Sequence, residues 1–179
     1  NELGADGIAF LVQTNSYTVG STGSGIGYGG IGNSVAVEYD TFYNSGQDIN
    51  GNHVGIGFNG NLNSVASLAI APDMNDGNIW HSWVDYDGAT DSLEVRISTT
   101  NVRSATADLS YTVDLSSILG TPDAYVGFTS ATGSCWNNHD ILSWTFVDDY
   151  NPIDPNDPPA VPEPTTMVLF GIGLLGLAG

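Results

Sequence analysis

The sequence predicts an all-β fold built as a β-sandwich, and three observations lead there. Short segments of alternating apolar and polar residues recur along the chain. Clusters of Gly, Asn, Asp and Ser punctuate them at short intervals. No segment carries the three-to-four apolar spacing of a convincing amphipathic helix. A length of 179 residues fits one domain with an appendage.

The elements follow in order. Residues 7–13 place Ile8, Phe10 and Val12 on one face of a strand. Residues 16–33 are too rich in glycine and serine for a helix and read as a loop. Residues 34–41 form a strand with Val35, Val37 and Tyr39 facing one way and Glu38 and Asp40 the other. A polar loop follows, then a strand over 54–58 and another over 65–70. Residues 79–86 and 93–98 flank Asp87-Gly88-Ala89-Thr90-Asp91, a hairpin signal. Leu93, Val95 and Ile97 point inward from its second arm, with Glu94 and Arg96 outward. Residues 115–119 make one helical turn ended by Gly120. Strands over 125–130 and 140–146 close the domain. In the last, Trp144 alternates with Leu142 and Phe146 and is expected in the core, as is at least one of Trp80 and Trp83. His81 and His139 read as structural or surface histidines.

Composition excludes several partners. The formal net charge is −18, and Arg96 and Arg103 are the only Lys or Arg residues. Nothing could neutralise phosphates, which excludes nucleic acid. The same charge disfavours anionic lipid head groups. Cys135 is the single cysteine, so no disulfide forms within the chain.

The chemistry concentrates after the second strand. Glu38 and Asp40 project from one face, and two adjacent carboxylates repel unless a cation lies between them. Asn44 and Asp48 add oxygens suited to calcium, and His53 adds a nitrogen suited to a transition metal. The spacing predicts two adjacent metals sharing Asp40 and Asp48. The plainer alternative is a solvated acidic strand face.

The run Val37-Glu38-Tyr39-Asp40-Thr41-Phe42-Tyr43-Asn44, with Asp48 and His53, closely resembles the metal loop of the legume (L-type) lectins. The resemblance extends over roughly residues 5–146 and implies a concanavalin A-like jelly roll of antiparallel sheets. It also implies a manganese-type site at Glu38 and His53 and a calcium site at Asn44 and the Phe42 carbonyl, with Asp40 and Asp48 bridging both. Ala5-Asp6-Gly7 is similar to the family's Ala-Asp-Gly, whose first two residues are joined by a cis peptide and whose aspartate accepts sugar hydroxyls. Gly29, in the glycine loop, matches the family's backbone N–H donor. Asn44 would contact sugar as well as calcium, and Phe42 would stack on the pyranose ring. Residues 132–138 match the family's specificity loop, where Trp136 offers a second stacking surface. For Asp6 and Gly29 taken singly, a turn residue and a loop glycine remain open readings.

The implied function is metal-dependent carbohydrate binding without catalysis, with a glycan or glycoconjugate as partner and a homodimer in prospect. A glycoside hydrolase of the same sandwich superfamily is the enzymatic alternative. Its Glu-x-Asp-x-x-Glu strand is matched only in part, because Tyr43 stands where the second glutamate belongs, and retaining hydrolysis needs two carboxyls set across the bond. A structural surface or matrix module is the third class.

Three regions are expected: residues 1–147 as an N-terminally incomplete lectin domain, 148–160 as an acidic Pro-rich linker, and 161–179 as a sorting segment. The chain starts at Asn1 close to a strand, which reads as a fragment or a processed product. It lacks the strands this family places earlier, so unpaired edges and poor folding of the isolated chain are expected. Pro162-Glu163-Pro164 before a Gly-rich apolar run resembles the bacterial PEP-CTERM sorting signal. That resemblance implies export, transient membrane insertion and cleavage to the cell surface or matrix. The apolar run is shorter than a full membrane span, and the signal's basic cluster is missing.

Overall fold

The computed structural model describes residues 4–17, 20–148 and 150, so the linker and sorting segment, apart from residues 148 and 150, lie outside the described residues. Eight strands form two antiparallel sheets. They are β1 (Gly7–Gln13), β2 (Ser34–Asp40), β3 (His53–Phe58), β4 (Ala66–Ala69), β5 (His81–Asp87), β6 (Ser92–Ser98), β7 (Leu109–Thr112) and β8 (Tyr125–Ala131). The larger sheet runs β4-β3-β2-β1-β8 and the smaller β5-β6-β7.

Alternation decides which face of each strand is buried. Val35 and Val37 from β2 join Val54 and Ile56 from β3 and meet Leu93 and Val95 from the smaller sheet in one core cluster. Each such aliphatic side chain contributes about 1.5–3 kcal/mol on full burial. The opposite face of the larger sheet is also covered. Ala9, Leu11 and Ala36 pack beneath Ile26, Tyr28 and Ile31 of the glycine loop. Most of β2 is therefore buried on both sides, and the polar groups it carries need partners.

Local signals account for the connections. Asp87 caps the β5–β6 turn by accepting from the Ala89 N–H and the Thr90 hydroxyl. The helical turn α1 (Leu115–Leu119) has Asp114 as its N-cap, accepting from the N–H groups of Ser116 and Ser117, and Gly120 at φ 72° as its C-cap. Arg96 points outward from the sandwich yet is only 4 % exposed. It and Arg103 both bind Asp85, so the two arginines of the chain lock the outer face of the smaller sheet.

Several expectations fail. The described residues after Ala131 contain no strand, so the strand predicted over 140–146 is absent. Trp144 is 49 % exposed and packs edge-on against Phe128 of β8 rather than in the core. Alternation within one segment does not by itself specify pairing, and residues 140–146 form no ladder although β8 ends the larger sheet with β1 as its one neighbour. Conversely β7 was not predicted. It is only four residues long, too short for periodicity to register, and pairing with β6 specifies it. Trp80 and Trp83 are both half-buried, and Trp83 stacks on His81 instead of entering the core.

Candidate functional site

Strand register assembles the acidic cluster. In the β2–β3 pairing Asp40 lies opposite His53 and Glu38 opposite Gly55. In the β1–β2 pairing Asp40 lies opposite Gly7, which brings Asp6 to the same end of the sheet. Directly opposed residues share a face, so Glu38, Asp40 and His53 converge there. The loop after β2 folds back and adds Asp48. Ligand atoms of Asp40, Asp48 and His53 all lie within 4.8 Å of one another.

The cluster is held in place by specific bonds. His53 Nδ1 lies 3.0 Å from the Asn50 carbonyl, which can only accept. That bond places the proton on Nδ1 and leaves Nε2 as a ligand atom, 3.6 Å from Glu38 Oε1. The Tyr28 hydroxyl donates to Glu38 Oε2, and the Ser64 hydroxyl donates to Oε1. A Cβ on Gly55 would clash with Glu38 Oε1 and Ser64 Oγ, so only glycine leaves room for this arrangement. The Phe42 N–H donates to Asp40 at 2.7 Å. The Asn44 N–H donates to Asp48, and the Asn44 amide lies 3.4 Å from the Phe42 carbonyl oxygen.

The electrostatics are those of carboxylates buried close together. Burial, with Asp48 and Glu38 nearby, pushes the Asp40 carboxyl up to about 7. Burial likewise raises Asp48, with Glu38 and Asp6 adding to it. Burial would also raise Glu38, but the neighbouring His53 imidazole and the bonds from Ser64 and Tyr28 outweigh it and hold that carboxyl below its usual range. For His53, burial opposes the charged form, yet Glu38 at 3.6 Å and the surrounding carboxylates raise its pKa.

Asp6 completes the neighbourhood. Its peptide bond with Ala5 is cis. The carboxyl is 4 % exposed, and its Oδ2 has no hydrogen-bond partner. Burial raises its pKa. A Cβ on Gly133 would sit 3.2 Å from that oxygen and 3.6 Å from Gly23 Cα, so the loop after β8 and the start of the glycine loop both approach it.

The predicted residues divide on this geometry. Glu38, Asp40, Asp48 and His53 come together, with Asn44 and Phe42 on the same loop. Trp136 is 71 % exposed on the loop that carries Gly133. Gly29 departs from its expected role. Its N–H donates to the Gly25 carbonyl at 2.9 Å and its carbonyl accepts from Ser21, so its donor is consumed inside the loop. It lines a shallow pocket of about 380 Å³ with Gly20, Ser21 and Ile31, a pocket without Asp6, Phe42 or Asn44. Tyr28, Ser64 and Gly55 were not predicted as supports of Glu38. Only the pairing of β2 with β3, and the fold of the glycine loop over it, brings them there.

Comparison with known proteins agrees with this geometry. The legume lectin domain description matches residues 1–163, and the PEP-CTERM protein-sorting motif matches residues 160–179. Agglutinin-2 of Cladrastis kentukea is 36 % identical over 155 residues, covering 79 % of this chain and 51 % of that protein. The L-type lectin-domain containing receptor kinase VIII.1 of Arabidopsis thaliana is 33 % identical over 147 residues, covering 78 % of this chain and 20 % of the kinase. The chain thus spans a fifth to about half of the length of these relatives. Among solved structures, the lectin from Bauhinia forficata in complex with GalNAc aligns with a TM-score of 0.64 at 26 % identity, covering 74 % of this chain and 61 % of that one. Winged bean acidic lectin complexed with methyl-α-D-galactose gives 0.61 at 28 % identity, covering 73 % and 55 %. With the sandwich, the carboxylate–imidazole cluster and the family match pointing the same way, the chain belongs to the legume lectin domain family, with a PEP-CTERM sorting motif at its C-terminal end.

Proposed function

We propose that this chain binds glycans through a metal-dependent site at the end of the larger sheet and acts as the lectin domain of an exported protein. The family is one of carbohydrate-binding, non-catalytic domains, which sets the glycoside hydrolase alternative aside. The observation that carries the metal reading is the convergence of Asp40, Asp48 and His53 within 4.8 Å, beside Glu38 and an unpaired, buried Asp6 oxygen. Like charges held together in a buried site are costly, and a divalent cation removes the cost. Glu38, Asp40, Asp48 and His53 fit manganese or another transition metal; Asp40, Asp48, Asn44 and the Phe42 carbonyl fit calcium. Bound metals would neutralise the cluster and hold the loop that carries Asn44.

Asp6 Oδ2 then serves as acceptor for sugar hydroxyls, Asn44 as a second polar contact, and Phe42 and Trp136 as stacking surfaces. The sorting motif supports export, with transient anchoring and release at the cell surface. The test is a glycan array with the full-length protein, run with calcium and manganese and again after chelation. Binding that vanishes on chelation, returns with metal and is abolished in Asp6→Ala or Asn44→Ala is the expected result. Absence of binding despite two metals by elemental analysis would point to a structural surface module instead.

A further inference from the structure

Gly133 and Trp136 lie on residues 132–138, the loop after β8, and this loop contributes no residue to the acidic cluster. Both of its ends are tied. At the start, the Asp6 N–H donates to the Ala131 carbonyl at 3.0 Å, which joins the end of β8 to the Asp6 backbone. At the finish, His139 Nδ1 lies 2.8 Å from the hydroxyl of Ser130, the residue before Ala131. That side-chain bond closes the loop on itself and brings His139 back to the strand end that Asp6 already holds. Within the loop, the Gly133 N–H donates to the Cys135 carbonyl at 3.2 Å and the Asn138 N–H to the Asn137 side chain at 3.0 Å. Those two bonds are local and fix no position relative to Asp6.

Burial sets the state of the His139 ring. Its Nε2 is buried and has no hydrogen-bond partner among the described residues. A buried N–H left without an acceptor is a costlier orphan than a buried lone pair. The proton therefore belongs on Nδ1, which donates to Ser130 Oγ. Burial also holds the ring's pKa below the usual histidine value, against the pull of the neighbouring Asp140 carboxylate. The imidazole is thus neutral at pH 7 and offers one donor, in one tautomer, to one acceptor.

We propose that the Ser130–His139 bond is a clamp that sets residues 132–138 for ligand, and that His139 is a positioning residue for glycan binding rather than a sugar contact. With the clamp closed, Gly133 stands against the Asp6 carboxylate, where a Cβ would lie 3.2 Å from Oδ2, and Trp136 is presented to solvent. With the clamp open, the loop samples other arrangements, and affinity falls with the fraction still in the competent one. One hydrogen bond of ordinary strength shifts such an equilibrium about fivefold. This inference rests on the lectin reading above, with Asp6 as the primary contact.

The test is a double-mutant cycle on the full-length protein loaded with calcium and manganese. Titration calorimetry reads affinity for the strongest glycan from the array. His139→Ala and Ser130→Ala each lower that affinity about three- to fivefold, and the double variant is no worse than either, because both remove the same bond. His139→Asn brings affinity back to within about twofold of the unmodified protein, since its amide N–H takes the place of the Nδ1 donor. Amide hydrogen exchange over residues 132–138 speeds up in His139→Ala and slows again in His139→Asn, while metal affinity and exchange in β1, β2 and β3 stay unchanged, a pattern that general destabilisation would not give. Unchanged affinity in His139→Ala, losses that add in the double variant, or no rescue by asparagine overturns the clamp and leaves the lectin reading standing. No glycan bound by the unmodified protein overturns both.

Discussion

Replacing Asp40 with asparagine should stabilise the metal-free protein while abolishing its response to metal. Asp40 is 2 % exposed, and its carboxyl is pushed from 3.8 up to about 7. The folded state therefore holds a proton that the unfolded chain releases. Stability from this group falls as pH rises between those two values and is flat above and below them. The accumulated cost of ionising Asp40 in the fold is about 4 kcal/mol at pH 8 and about 2 kcal/mol at pH 5. Asparagine escapes that cost. It keeps an oxygen for the Phe42 N–H but gives up the charge-assisted strength of that bond, worth about 1–2 kcal/mol. The net gain in metal-free buffer at pH 8 is about 2 kcal/mol, or about 5 °C in Tm for a chain of this size, and it fades towards zero at pH 5. Thermal unfolding after chelation, at both pH values, reads this directly. Added calcium and manganese should raise the Tm of the unmodified protein and leave that of Asp40→Asn nearly unchanged. A variant less stable than the unmodified protein in metal-free buffer at pH 8 would refute the reasoning, because it would show that no uncompensated charge is buried at Asp40.

Three further outcomes follow from the same geometry. Metal affinity measured by calorimetry should fall steadily from pH 8 to pH 5, because protons compete at Asp40 and at His53, whose pKa is also raised; equal affinity at both ends would contradict it. Gly55→Ala should weaken transition-metal binding at least about tenfold and cost about 1–3 kcal/mol in denaturant unfolding, since its Cβ would collide with Glu38 and Ser64; a neutral result would mean that Glu38 can relocate freely. Ile56→Ala, at a fully buried core position, should cost about 2–5 kcal/mol in the same assay, and a loss below about 1 kcal/mol would show that the two sheets do not depend on that contact.

The all-β class, most strands and the residues of the carboxylate–imidazole cluster were legible in the sequence. Alternation along β1, β2 and β3 and the hairpin turn between β5 and β6 are local, and local periodicity reports them. Glu38, Asp40, Asp48 and His53 were recognisable because type and spacing carry their chemistry, and the C-terminal motif was recognisable for the same reason. The tertiary structure alone decided which backbone and side-chain donors remain free. Gly29 looked like a donor until the fold of its own loop consumed its N–H. Tyr28 and Ser64 became partners of Glu38 through contacts between segments far apart in the chain. Residues 140–146 have the alternation of a strand but form no ladder with β8 at the end of the sheet, while β7 is almost too short to see and exists because β6 pairs with it. Pairing, register and hydrogen-bond satisfaction are properties of two segments at once, so no pattern within either segment can specify them.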